Sequence, residues 1–351
     1  MGAVVQPAIA EFIRTSPKVE LHVHLEGAMS ADTVWRLADR NGIRLPGGSA
    51  EGWRDQYRFR DFNHFIDLYT LASGAMRTAE DFAHTVERFC AGQAAQRILH
   101  SEVFLSTSLH LGKLPGEELA DALAEGVRRG RDAHGVGVVV LADISRHLPA
   151  TARAVLDFAL MARGRHPGVF VGLQLGGKEE GFPPELFAGV YADARAAGLH
   201  CIAHAGEGAG PESVRGAVEV LRVERIGHGL RCLEDPALVE LLRDRRIPFE
   251  VCPTSNVCLK VVPDLARHPL PLMLELGLTV TLNSDDPAMF GTTLTQEFLR
   301  TADAFGFGLD TVKALSRNAI RAAFLPAAAR EELEAEFERG GTCCGGSSCC
   351  G

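Results

Sequence analysis

Short apolar runs alternate with longer amphipathic stretches along most of the chain. Eight such runs stand out: Val19–His24, Ile98–Leu105, Val136–Asp143, Val169–Leu175, His200–His204, Arg225–His228, Pro248–Cys252 and Thr279–Asn283. They are rich in β-branched and aliphatic residues, as strands buried on both faces are. Between them, stretches such as Ala150–Met161 and Pro236–Arg243 repeat apolar residues at three- and four-residue steps, the period of a helix with one buried side. Strand–helix alternation implies a parallel α/β sheet. Eight successive units predict closure into a (β/α)8 TIM barrel.

One connection breaks the rhythm. Leu25–Arg97 is long and reads as mostly helical, so a helical insertion is expected after the first strand. Within it, Phe59, Phe62, Phe65 and Tyr69 are spaced to share one helix face. Such a stripe serves core packing, or it forms a cap that gives a substrate an apolar wall at the barrel mouth. No internal repeat or linker divides the rest. Residues 1–339 are therefore expected to form one barrel domain, followed by a disordered Gly/Ser/Cys tail at 340–351, whose composition cannot bury a core.

Length is compatible with this: barrels of this kind take about 250 residues, and more with insertions, and the chain has 351. The net charge of −9 disfavours a phosphate-backbone partner, so no nucleic acid is expected. No apolar stretch has the length of a membrane span, and the N-terminus lacks the pattern of a secretory signal. The expected setting is cytoplasmic. Of nine cysteines, Cys90, Cys201, Cys232, Cys252 and Cys258 lie in the body, several within apolar runs where a free thiol packs as a small hydrophobe. Cys343, Cys344, Cys349 and Cys350 crowd into the tail.

Ionisable residues gather at the C-terminal ends of the predicted strands. His22 and His24 end the first run, His204 the fifth with Glu207 just beyond, His228 the sixth between two glycines, and Asp285 and Asp286 follow the eighth. A barrel gathers these ends at one face, where barrel enzymes work. His22 and His24 are two apart on a strand and share a side. Two imidazoles so placed suit a metal ion, and His204 and Asp285 complete a His₃Asp set, a donor combination suited to zinc before iron or cobalt. Read singly, each has an ordinary structural explanation: a core histidine, or carboxylates opening a helix at Pro287. A carboxyl such as Glu207, beside a metal-activated water, is placed to shuttle protons.

These motifs resemble the adenosine deaminase family, a branch of the amidohydrolase superfamily. The matching segments are Pro17–Gly27 (PKVELHVHLEG), His204–Glu207 (HAGE), Arg225–Gly229 (RIGHG), Cys252–Asn256 (CPTSN) and Ser284–Asp286 (SDD), in family order from Pro17 to about Phe324. The resemblance implies one Zn²⁺ per chain held by His22, His24, His204 and Asp285, and attack of an activated water on C6 of an adenine-type purine. It implies that Asp285 and His228 orient and deprotonate that water, that Glu207 donates a proton to N1, that Asp286 contacts N7, and that the Gly177 backbone N–H contacts N3. His24, Glu26, Phe59 and Phe62 complete the expected substrate-binding set, with a small purine and water as the only partners.

Two departures bear on substrate. Nucleoside-specific members usually carry Asp where this chain has Glu26, and that Asp contacts the ribose 5′-hydroxyl; the LEG form resembles adenine deaminases. In Gln174–Glu179 (QLGGKE), the paired glycines resemble the nucleoside enzymes, although Gln174 stands for their Asp. Adenosine, with 2′-deoxyadenosine, is the expected substrate. Adenine, or a larger nucleoside such as aminodeoxyfutalosine, is the alternative. A different class of reading is a binuclear amidohydrolase acting on an amide, lactone or phosphoester, with Lys178 carboxylated and His228 holding a second ion. A non-catalytic binding barrel is a third. The cytidine-deaminase fold needs His-x-Glu and Pro-Cys-x-x-Cys, and neither motif occurs.

Overall fold

Every predicted apolar run forms a strand. In the computed structural model, which describes residues 5–342, these are β1 (Lys18–His24), β2 (Ile98–Leu105), β3 (Gly137–Ser145), β4 (Phe170–Gly176), β5 (His200–Ala205), β6 (Arg225–His228), β7 (Pro248–Val251) and β8 (Thr279–Leu282). Each pairs in parallel with the next in sequence order. β8 returns to β1 through a single bridge, Val23 with Asp285. There the Asp285 N–H donates to the His22 carbonyl (3.1 Å) and the His24 N–H to the Asp285 carbonyl (2.8 Å). Side chains complete the seam: the Asn283 amide oxygen accepts from Leu21 N–H at 2.9 Å, and the buried Glu20 carboxylate accepts from Ser284. The result is a nearly closed (β/α)8 barrel.

The barrel opens slightly between β4 and β5, which pair only at Gly172–His200 and Leu173–Cys201. Above that point the His204 carbonyl has no ladder partner. The buried Arg146 guanidinium donates to it and to the Phe182 carbonyl, so a backbone acceptor that burial would otherwise orphan is satisfied. The interior is part apolar and part ionic. Phe104, Leu141 and Ile202 pack together. Beside them Arg225, 1% exposed, donates to Glu102 and Glu250 at 2.6 Å each and to the Ala322 carbonyl at 2.7 Å, with Phe324 stacked on its guanidinium.

The insertion after β1 is helical, as expected: Ala31–Arg40, Ala50–Asp55, Phe62–Gly74 and Ala79–Ala94. Phe62, Phe65 and Tyr69 lie on the third of these, but Phe59 does not. Asp61 caps that helix by accepting from the His64 N–H at 2.8 Å, which starts it beyond Phe59. Phe59 instead packs edge-on against Phe65 and Phe290. Cys90, Cys201, Cys232 and Cys252 are buried free thiols, and Cys258 is half-buried. Among the described residues no helix is long and apolar enough to cross a membrane. The last helix, Ala327–Thr342, runs past the expected domain end at 339; the remainder of the proposed 340–351 tail, with its four cysteines, lies outside the described residues.

Removing one partner from a buried charge cluster strands the others. Arg225→Ala is expected to lower unfolding free energy by about 3–5 kcal/mol, measured by chemical denaturation.

Candidate active site

The strand ends bring four of the predicted residues to one point. His22 Nε2 and His24 Nε2 lie 3.3 and 3.4 Å from Asp285 Oδ1, and His24 Nε2 lies 3.4 Å from His204 Nε2. Nitrogens and carboxylate oxygens of His22, His204, His228 and Asp285 all fall within 4.8 Å of one another, as do those of His24, Asp285 and Asp286. All six residues are buried. Backbone geometry is spent on this convergence. His228 and Asp285 adopt φ of 59° and 64°, a left-handed conformation unusual outside glycine and concentrated at functional sites. Gly227 is required because a Cβ there would press on the His22 and His204 rings.

The outer edges of His22, His204 and Asp285 are already engaged, whereas His24 Nδ1 is buried without a partner. His22 Nδ1–H donates to Glu250 Oε2 at 2.8 Å, leaving Nε2 turned to the centre without a hydrogen bond. Burial works against a charged His22, but the carboxylates of Asp285 and Glu250 outweigh it and hold the ring up at about 9. A divalent cation on Nε2 takes the place of that proton. His204 Nδ1 meets the Gln174 amide nitrogen at 2.7 Å while Gln174 Oε1 has no partner, so exchanging the two ends of that amide lets the oxygen accept the Nδ1 proton and frees Nε2. Ser255 Oγ donates to Asp285 Oδ2 at 2.6 Å. Imidazoles whose second nitrogen is held by a carboxylate or amide are the form in which proteins present histidine to metals. The donor set, its burial, the unpartnered His22 Nε2 and the facing Nε2 atoms of His24 and His204 fit a metal ion.

His228 is oriented differently. The Leu270 N–H donates to His268 Nδ1 (3.1 Å), so a neutral His268 carries its proton on Nε2 and donates to Asn256 Oδ1 (3.1 Å). Burial keeps His268 neutral, its pKa lowered to about 4. The Asn256 amide nitrogen therefore faces His228 Nδ1, also at 3.1 Å, and donates to it. Burial likewise lowers His228 to about 3, so the ring is neutral with its proton on Nε2. That nitrogen stands 3.6 Å from Glu207 Oε1 and 3.8 Å from Asp285 Oδ2.

Glu207 and Asp286 behave as acids. Burial, reinforced by repulsion from Asp285, holds both carboxyls well above the usual carboxylate range. Burial opposes ionisation of Asp285 too, yet the histidines around it keep its carboxylate well below that range. Neighbouring carboxyls are thus split into proton donors and an acceptor, the arrangement that acid–base chemistry at neutral pH needs. The loop carrying Glu207 is pinned by Glu179, which accepts from the N–H groups of Gly206, Glu207 and Ala209 at 3.2, 3.4 and 2.8 Å.

A partly open cavity gives onto this cluster. His24, Phe62, Gly177, His204, Glu207, His228, Asp285 and Asp286 line it, as the sequence predicts. Phe59 and Glu26 do not. Phe59 is packed beneath the helices of the insertion. Glu26, fully buried, accepts from His110 (2.7 Å), Ser106 N–H (2.9 Å) and Tyr69 Oη (3.1 Å), so its carboxyl is engaged inside the protein. Lys178, half-buried, lines an adjoining outer cleft with Glu180 and Gly208 instead of the cavity itself. Sequence reading missed Glu250, Asn256 and Ser255 as supports and Asp143, Ser145 and His147 as cavity residues. A charge inside the short apolar β7 run marked Glu250, the polar residues after that run marked Ser255 and Asn256, and a polar cluster ending the third run marked Asp143, Ser145 and His147.

The family model for adenosine deaminase matches residues 17–339, and the chain belongs to that family. An adenine deaminase from Cupriavidus necator is 40% identical over 336 residues, covering 95% of each chain. The structure of an adenine deaminase from Arthrobacter aurescens superposes with a TM-score of 0.87 at 35% identity, covering 92% of this chain and 98% of the other. An amidohydrolase from Burkholderia ambifaria with bound Zn superposes with a TM-score of 0.88 at 27% identity, covering 98% and 97%. The fold and the His/Asp group are those of a metal-dependent deaminase.

Loss of a ligand and loss of its support differ in degree. His204→Ala is expected to lose bound metal and activity together, read by metal analysis and ammonia release. Glu250→Gln is expected to fold and to weaken metal affinity by about 10- to 100-fold in a chelator competition.

Proposed function

We propose that this enzyme hydrolyses the 6-amino group of the free base adenine, giving hypoxanthine and ammonia. The observation that carries the substrate is the internal engagement of Glu26. With both carboxylate oxygens bonded inside the protein, the position that would receive a ribose hydroxyl is closed, and this favours adenine over the adenosine expected from the paired glycines. The names of the similar adenine deaminases point the same way. We assign His22, His24, His204 and Asp285 as the ligands of one zinc ion. His228 is set apart because its outer nitrogen faces an amide whose orientation is fixed: Asn256 Oδ1 is taken by His268, so the amide nitrogen must donate to His228 Nδ1, whereas Gln174 Oε1 is unpartnered and that amide can turn to accept from His204.

When bound, the zinc acidifies water toward neutrality. The protein's own groups do the rest. Asp285 Oδ2 accepts a proton from the attacking water, and the Nε2–H of His228 holds that water's oxygen as charge develops on it. His228 is therefore a donor in this step, in place of the base expected from the resemblance. The oxygen adds to C6 while neutral Glu207 gives its proton to N1. The amine leaves with the proton held by Asp285 and departs as ammonia. The remaining C6 hydroxyl proton restores Glu207, and the N1 proton stays with hypoxanthine. Asp286, held neutral, donates to N7. The Gly177 backbone faces N3; Gly177 has φ of 78° and stands against His147, so no side chain fits between backbone and ring.

A spectrophotometric screen of adenine, adenosine, 2′-deoxyadenosine, AMP and aminodeoxyfutalosine tests the substrate. Adenine is expected to exceed adenosine in kcat/KM by about 100-fold or more, and preference for any nucleoside overturns the assignment. Glu207→Gln is expected to retain metal and lose about 10²- to 10⁴-fold in kcat; turnover within a few-fold of the parent places the N1 donor elsewhere.

A further inference from the structure

The end of β3 carries a carboxyl group that no step above uses. Asp143 is 3% exposed and lines the cavity, and its Oδ1 has no hydrogen-bond partner among the described residues. A buried oxygen left without a donor destabilises the fold, and native proteins rarely keep one without a task. In the β3–β4 ladder Asp143 pairs with Gln174, which holds His204, and Ser145 pairs with Gly176, next to Gly177. Alternation along β3 turns Asp143 and Ser145 to the same side. Asp143 thus faces the cavity one strand beyond Gly177.

The order of atoms round the base matches the order of strands round the barrel. In the orientation proposed above, N1 faces Glu207 after β5, N3 faces Gly177 after β4, and N7 faces Asp286 after β8. On the purine perimeter N9 lies between N3 and N7, so it is directed to the ends of β3 and β2. Asp143 stands at the first and Ser106 at the second. We propose that Asp143 accepts a hydrogen bond from N9–H of an unsubstituted adenine-type base, making the β3 end the element that selects free bases over N9-substituted nucleosides. Either protonation state of the carboxyl offers an acceptor oxygen there. An N9 substituent removes the donor and leaves the acid buried unmatched, the kind of mismatch that discriminates most strongly. The neighbouring wall does not swing aside: Tyr69 Oη is held by Ser106 Oγ at 2.7 Å and by Glu26 at 3.1 Å.

This inference rests on the reading of the site as a purine deaminase, and the test separates the two. Wild type, Asp143→Ala and Asp143→Asn are compared on adenine and 9-methyladenine, with zinc content, melting temperature and calorimetric binding of hypoxanthine measured alongside. Wild type is expected to favour adenine by about 100-fold or more. Asp143→Ala is expected to lose about 10- to 100-fold on adenine, mostly in KM, to bind hypoxanthine correspondingly less well, and to shrink the adenine preference at least tenfold. Asp143→Asn, which keeps an acceptor, is expected to fall between. Melting temperatures should match or exceed wild type, because an unmatched buried acid has been removed or neutralised. Retention of the full adenine preference in Asp143→Ala overturns the inference and leaves the deaminase reading standing. So does a fall of more than about 4 °C in both variants, which assigns Asp143 to the fold. A wild type that releases ammonia from none of the purines overturns the underlying reading instead.

Discussion

Everything at the barrel mouth follows from one electrostatic constraint: a buried carboxylate and three inward imidazole nitrogens occupy a single small volume. Anionic and lone-pair donors gathered this closely are stable only with a positive charge among them. Asp285 stays ionised because histidines surround it, and His22 is drawn toward the charged form because Asp285 and Glu250 flank it. The fold prepares a place for a cation before any substrate arrives. The outer contacts from Glu250, Gln174 and Ser255 keep the donors from collapsing onto other partners.

That arrangement reaches down into the barrel. Glu250 binds His22 on one oxygen and Arg225 on the other, and Arg225 in turn binds Glu102. The ionic layer of the interior is thus continuous with the candidate metal site. A charge that would be an odd choice for a barrel core serves to orient a ligand. The acids are graded by the same means. Glu207 and Asp286 share the burial of Asp285 but not its cationic surroundings, so they hold their protons where Asp285 gives its own up. The chain of Leu270, His268 and Asn256 does for His228 what Glu250 does for His22, with a different result: His228 is kept neutral with its proton toward the centre, and His22 is drawn to the charged form, whose inward proton a cation can replace.

Much of this was legible in the linear chain. All eight strands lie within two residues of the apolar runs, because strands buried on both faces leave an uninterrupted signal of β-branched and aliphatic residues. His22, His24, His204, Glu207, His228, Asp285 and Asp286 were marked by lying at strand ends, which a barrel collects on one face, and Gly177 by the family resemblance. Phe59 was misread because helical spacing cannot show that Asp61 starts the helix two residues later. Glu26 was misread because its type and place matched a substrate contact, while its partners His110, Ser106 and Tyr69 come from a distant strand end and an inserted helix. Asp143 carried a local signal, a polar residue ending a strand, but resembled an ordinary loop entry.

By itself the sequence determined the barrel, the family and the kinds of atoms available for chemistry, because hydrophobic periodicity and motif order are properties of neighbours along the chain. Only the tertiary structure decided which oxygen or nitrogen each side chain turns toward the cavity. Glu26 faces inward to the protein, Asp143 faces the cavity, and Glu250 stands behind His22 where Asn256 stands behind His228. Those choices depend on hydrogen-bond partners tens to hundreds of residues away, and the barrel settles them when it closes.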